Sequence, residues 1–318
     1  MTYFWLILGL ATLIVGGEFL VKGAVGIAKK FHISTLVIGM TIISFGTSAP
    51  ELIVSIKAAL SGNPEIAIGN VIGSNIANIA LVLGITVLIF PIVVDRNSKI
   101  IDWPMMMLSS ILFYLFALDN IIEFWEGAVL FIILLSFTSY LILNSRKKTK
   151  KAIAEEEKEI EVRAKKVNIG LSILFTCLGL VGLFFGAGWL LEGAVQIATD
   201  WGMSKSVIGI TIVAFGTSVP ELVTSGVAAF RKETDISIGN LIGSNIFNVM
   251  AVIGITALVK PIGVEDEVID SDMIWMLCIA ALLLPLMLIG KKLSRFKGFI
   301  LFATYVIYIT ILLINSNS

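Results

Sequence analysis

The sequence predicts an all-α polytopic membrane protein: ten transmembrane helices in two inverted five-helix repeats, with broken helices at the bilayer midplane. Three observations predict it. Of the 318 residues, 57% are hydrophobic and only 14% charged, too apolar a mixture for a soluble domain to cover its surface. Windows of about 20 mostly apolar residues, the length that crosses about 30 Å of hydrocarbon, recur along the whole chain. The sequence also repeats itself. Shifted by 170 residues, positions 38–91 align with 208–261 without a gap, and 30 of those 54 positions are identical.

Ten spans are expected at about 3–28, 33–58, 65–89, 103–118, 122–144, 168–198, 204–230, 236–259, 272–290 and 296–315, judged against the spanning length. The fifth and sixth are separated by the one long polar segment, "NSRKKTKKAIAEEEKEIEVRAKK". It reads as a charged linker with some helix-forming content. The chain divides into a first transmembrane half at 1–145, a linker at 146–167 and a second half at 168–318. Five spans is an odd number, so the second half must enter the membrane from the opposite side. Inverted repeats with paired interrupted helices are the arrangement of many secondary transporters.

Orientation follows from Lys and Arg. With the N-terminus outside, the inner loops hold 19 of the 23 basic residues, the asymmetry that the positive-inside rule expects. Both termini are then outside the cell membrane and the linker is cytoplasmic. The N-terminus lacks the basic start and cleavage-like site of a secretory signal. Cys177 and Cys278 lie in apolar segments and suit neither a disulfide nor a metal site. His32 is the only histidine, which excludes a histidine relay or a His-based metal centre. The zero net charge says nothing about partners; no nucleic-acid partner is expected, and no obligatory protein partner or cofactor is evident.

The chemistry concentrates at two breaks. "FGTSAPELIVS" (45–55) returns as "FGTSVPELVTS" (215–225). Pro50 has no N–H for the carbonyl of Gly46, and its ring clashes with that carbonyl, so the helix should loosen over about 44–50. Freed carbonyls are tolerated in lipid only where protein or a water-filled cavity satisfies them. Thr47, Ser48 and Glu51 surround this break; Thr217, Ser218 and Glu221 surround its counterpart at Pro220. Carboxylates, hydroxyls and carbonyls together make a hard-cation site, of the kind calcium prefers and sodium accepts. Thiolates and imidazoles, which softer metals prefer, are absent from it.

The third and eighth spans should supply a facing wall. Asn70, Ser74 and Asn78 are four apart and share one helix face, as do Asn240, Ser244 and Asn248; interhelical polar glue is the competing account of these stripes. Gly69, Gly73, Gly239 and Gly243 are expected to admit a neighbouring backbone. Glu18 and Lys22, four apart, read as an intrahelical ion pair. Glu192, at the position matching Lys22, lacks such a partner and is a candidate for lining an ion path.

Two copies of G-T-S-x-P-E in inverted halves, each followed by G-N-x-I-G-S-N-I-x-N, closely resemble the alpha-repeats of the calcium/cation antiporter superfamily, and within it the prokaryotic sodium/calcium exchangers. The resemblance covers all ten spans. It implies a core of the second, third, seventh and eighth spans around four ion sites, with the first and sixth spans lying across it and moving. It makes Glu51 and Glu221 the central carboxylates, joined by Thr47, Ser48, Thr217, Ser218 and the carbonyls of Ser44 and Ala214. Ser74, Asn78, Ser244 and Asn248 complete the wall. Some relatives, including the potassium-dependent branch, carry Asp at the position of Asn248; Asn here leans toward potassium-independent exchange.

The implied activity is alternating access, with sodium entering and calcium leaving. Calcium neutralises two ionised glutamates, whereas sodium must fill several subsites to do the same. A calcium/proton exchanger is the nearest alternative, since the same carboxylates could titrate. A cation channel would need a selectivity sequence that does not appear. An intramembrane enzyme of the aspartyl type would need Asp dyads, so the protein is not expected to be an enzyme.

Overall fold

The computed structural model describes residues 2–155, 168–201 and 214–315. Its helices, in chain order, are α1 (Thr2–Phe31), α2 (Thr35–Thr47), α3 (Ala49–Leu60), α4 (Pro64–Ile89), α5 (Ser98–Ala117) and α6 (Phe124–Glu155). They continue with α7 (Ile169–Asp200), α8 (Ala214–Thr217), α9 (Val219–Phe230), α10 (Thr234–Val259), α11 (Val268–Leu288) and α12 (Arg295–Asn315). Four two-residue strands lie between them: β1 (Ile92–Val93), β2 (Ile121–Ile122), β3 (Ile262–Gly263) and β4 (Lys292–Leu293).

Among the described residues, eight helices are long and apolar enough to cross a membrane, and α2 with α3 makes a ninth span across its break. The expected span at 204–230 lies partly outside the described residues; α8 and α9 cover its remainder. The expected linker, 146–167, also lies partly outside them, and its first ten residues continue α6 as helix to Glu155.

The chain forms two compact units that each draw on both sequence halves, one of 1–47 with 135–240 and one of 48–134 with 241–318. In the first, α1 and α7 cross as an antiparallel pair. Gly9, Gly16 and Gly23 meet Leu190, Leu183 and Thr176 respectively, while Gly179, Gly186 and Gly193 meet Leu20, Leu13 and Leu6. The glycines recur every seven residues on both helices, which keeps them on one face, and a Cβ at Gly9 would come within 2.4 Å of the Leu190 nitrogen. Small residues permit this approach, and dispersion between close backbones replaces the hydrophobic drive that lipid cannot supply. On its other side α1 packs on α9, with Gly17 against Val223. Leu13, Leu20, Ile38, Ile43, Leu183, Val219, Ala228 and Ile236 form this unit's core.

In the second unit, α4 is 78% buried over its apolar window, whereas α5 and α12 are 33% and 17% buried. That contrast identifies α4 as an inner helix and the other two as lipid-facing. α4 packs against α3, against α12, and against the last half of α10. Two glycine crossings recur at matching positions: Gly84 against Gly298 and Phe302, and Gly127 against Gly254. The strands pair across the halves, β1 antiparallel to β4 and β2 antiparallel to β3. These bridges were not legible in the sequence, being too short to show any alternation.

A Cβ at Gly239 would lie 2.7 Å from the Leu36 carbonyl oxygen, whereas one at Gly69 or Gly73 would meet nothing within 4 Å among the described residues. One sequence expectation changes here. Glu18 pairs with Arg231 of α9 rather than with Lys22, because Arg231 can reach it across the helix contact with Nε at 3.1 Å. Lys22 instead sits 5.0 Å from the centre of the Phe175 ring, a cation–π geometry.

Candidate ion-binding site

Each break is built the same way. Ser48 (φ −87°, ψ 1°) separates α2 from α3, and Ser218 (φ −89°, ψ 2°) precedes α9; Pro50 and Pro220 sit in the first turns that follow. A proline in the first turn is well placed, since its missing N–H would have had no intrahelical partner. Glu51 and Glu221 then fall in the first turns of α3 and α9. There the helix N-terminus favours negative charge. Both are buried, at 0% and 1% exposure, which is costly for a carboxylate unless charge or hydrogen bonds compensate it.

In the unit that contains Glu221, the Ser44 hydroxyl is shared between the Gly39 carbonyl at 2.8 Å and the Asn240 carbonyl at 2.9 Å. The Thr47 hydroxyl lies 3.4 Å from the Ser44 carbonyl and 3.3 Å from Asn240 Oδ1. Asn240 donates its amide to Ser225 Oγ at 3.1 Å. A widened π-helical turn, Gly39–Ile43, precedes Ser44 and loosens the backbone at the approach to the break. Ser218 is buried with a hydroxyl that has no hydrogen-bond partner among the described residues. Thr217 ends α8 and Ala214 begins it.

In the unit that contains Glu51, Asn70 Nδ2 is 3.2 Å from the Glu51 carbonyl and 3.0 Å from Ser55 Oγ. Asn70 with Ser55 and Asn240 with Ser225 are the same bond in the two repeats, each tying a helix hairpin together. These asparagines act as interhelical ties. Ser48, Ser74, Asn78, Ser244 and Asn248 are all buried. The hydroxyls of Ser48 and Ser74, both amide atoms of Asn78, and Asn248 Oδ1 have no hydrogen-bond partner among the described residues. Asn78 lies within a π-helical turn, Ala77–Leu83, and Asn248 opens another, Asn248–Ile253. α3 and α4 both pack on the second of these turns, so Glu51, Ser74, Asn78 and Asn248 come from mutually packed elements.

Two residues escaped the sequence reading. Asn75 donates to the Asn245 carbonyl at 3.3 Å, and Asn245 donates to the Asn75 carbonyl at 3.1 Å. A reciprocal exchange between positions 170 apart is a local two-fold relation. The signal available was the N of each "GSNI"; the four-residue spacing that selected Asn78 and Asn248 passed over it. Glu192 is exposed on α7.

A chain of apolar helices that buries carboxylates, hydroxyls and unpaired amides beside broken turns is a membrane ion transporter. More narrowly, it belongs to the sodium/calcium exchanger family and is a cation antiporter. The family described as "Sodium/calcium exchanger protein" matches residues 1–143 and 171–314. Putative antiporter CaxA of Alkalimonas amylolytica is 36% identical over 316 residues, covering 96% of each chain. Sodium/calcium exchanger MaX1 of Methanosarcina acetivorans is 30% identical over 339 residues, covering 96% of this chain and 97% of that one. Among solved structures, the sodium-calcium exchanger NCX_Mj soaked with 2.5 mM sodium and 0.1 mM calcium superposes with a TM-score of 0.83 at 32% identity, over 97% of both chains.

Proposed function

We propose that the protein exchanges sodium for calcium across the cell membrane by alternating access, through ten spans in two inverted halves. Both termini lie outside and the segment 146–167 is cytoplasmic. Glu51 and Glu221 supply the charge that balances the transported cation. Thr47, Ser48, Thr217, Ser218, Ser74, Asn78, Ser244 and Asn248, with the carbonyls of Ser44 and Ala214, supply its neutral oxygens. The observation that carries this reading is the twice-repeated burial of a glutamate in the first turn after a proline-flanked break. A cation bound there offsets the cost of holding the carboxylate out of water. The antiparallel run of the repeat-equivalent helices α1 and α7 supports the inverted relation.

The test separates sodium from proton coupling. Proteoliposomes loaded with calcium or sodium are given a sodium gradient at uniform pH, or a pH gradient without sodium. Calcium flux should follow the sodium gradient alone. Flux driven by the pH gradient in sodium-free medium would replace this reading with calcium/proton exchange.

A further inference from the structure

Asn75, Asn245 and Asn248 are all buried, at 1%, 3% and 0% exposure, and they form one hydrogen-bonded chain. The Asn75 amide donates to the Asn245 backbone carbonyl at 3.3 Å, and Asn248 Nδ2 donates to Asn75 Oδ1 at 3.1 Å. Acceptor chemistry fixes every orientation along it. A backbone carbonyl can only accept, so Asn75 must turn its NH₂ toward Asn245 and its oxygen toward Asn248. That oxygen can only accept as well, so Asn248 must turn its own NH₂ toward Asn75. The carbonyl oxygen of Asn248 is thereby aimed away from the tie, and it has no hydrogen-bond partner among the described residues.

The matching half is not arranged this way. Asn245 donates to the Asn75 carbonyl at 3.1 Å, but among the described residues its Oδ1 accepts nothing and neither amide atom of Asn78 has a partner. The interhelical tie is therefore symmetric, and the hold on the next asparagine is one-sided.

We infer that Asn75 is a positioning residue that fixes the Asn248 amide with its oxygen, not its NH₂, available to the transported cation. The inference rests on the proposed role of Asn248 as a ligand. An amide oxygen is a ligand for calcium or sodium, whereas an NH₂ group has no lone pair to offer and carries positive partial charge. Without Asn75 the two orientations of Asn248 compete, and apparent affinity falls with the fraction that is competent. The turnover of a loaded carrier is unaffected. The scale is that of one buried hydrogen bond, roughly fivefold in half-saturating calcium.

The experiment measures initial calcium uptake against calcium concentration in proteoliposomes of the full chain. Asn75→Ala should raise half-saturating calcium roughly fivefold with little change in maximal rate; Asn75→Leu, closer in volume, serves if the alanine variant is not recovered folded. Asn245→Ala removes the equivalent interhelical bond but no bond to Asn248, and should stay near the parent value. On an Asn248→Asp background, adding Asn75→Ala should produce no further shift, because the two oxygens of a carboxylate are equivalent and leave nothing to orient. Equal shifts from Asn75→Ala and Asn245→Ala would reduce Asn75 to a structural tie. An undiminished Asn75→Ala shift on the Asp background would likewise overturn the orienting role. If Asn248→Ala leaves the calcium dependence unchanged, it is the ligand assignment of Asn248 that fails, whatever Asn75 does.

Discussion

Glu51 and Glu221 illustrate how one residue type carries both the problem and its use. Each sits in a helix first turn where the backbone dipole eases burial, but that effect is worth only about 0.3–2 kcal/mol, well short of the cost of a dehydrated carboxylate. In the proposed site a bound cation supplies the rest. Glu51→Gln and Glu221→Gln should therefore each lower calcium exchange by at least about 100-fold, since leaving a buried charge uncompensated costs roughly 3–5 kcal/mol. Both variants should still insert and fold, because glutamine matches glutamate in shape. The check is calcium uptake at matched reconstitution, and parental flux from either variant would remove it from the site. Asn248→Asp adds a buried carboxylate to the unit that contains Glu51, and a buried carboxylate must take up an extra cation or a proton. That variant should acquire a dependence on potassium or on pH that the parent lacks. Calcium uptake under a fixed sodium gradient, with potassium and pH varied separately, reads the difference.

At the scale of elements, the α1–α7 seam sets how the two long helices meet. A Cβ on Gly16 would lie 2.9 Å from the Leu183 nitrogen and 3.1 Å from the Gly179 oxygen, and both obstacles are backbone that cannot rotate away. Gly16→Ala should force the helices apart and cost about 1–3 kcal/mol, the usual range for overpacking. A Cβ on Gly69 meets nothing within 4 Å among the described residues, and alanine gains helix propensity there, so Gly69→Ala should be neutral or slightly stabilising. Thermal unfolding of the two variants in the same detergent compares them; equal transition temperatures would mean that the seam is looser than its geometry indicates. The Glu18–Arg231 ion pair joins α1 to α9 on this same side. With side-chain exposures of 54% for Arg231 and 33% for Glu18, it should contribute little to stability, about 0–1 kcal/mol. Neither Gly188 nor Ser61, at the matching positions of the other repeat, could form such a pair.

For the whole molecule, topology is the property that sequence charge addresses most directly. The segment 146–166 carries nine basic and five acidic residues, an excess that by the positive-inside rule predicts a cytoplasmic location. A cysteine placed at Lys158, in a background with Cys177 and Cys278 replaced, should resist an impermeant thiol reagent applied outside intact cells. It should react once the membrane is opened. Labelling from outside would invert the orientation of every span. Because the segment supplies no residue to either break, replacing its interior with a neutral linker should leave calcium exchange intact.

Much of this protein is determined by sequence alone, for a physical reason. The bilayer imposes a length of about 20 apolar residues on each helix, so the spans could be read within a few residues of where α1, α4, α7 and α12 begin and end. The proline of each G-T-S-x-P-E motif marks a break, and the repeat doubled that signal at Ser48 and Ser218. Periodicity reports which residues share a helix face, but not what lies opposite. The tertiary structure alone decided that Asn70 and Asn240 tie hairpins and that Arg231 outcompetes Lys22 for Glu18. It also decided that Asn75 holds Asn248 while Asn245 makes no such bond to Asn78. Two repeats with nearly the same residues cannot announce that asymmetry, because hydrogen-bond direction is settled only when the donors and acceptors of different helices meet.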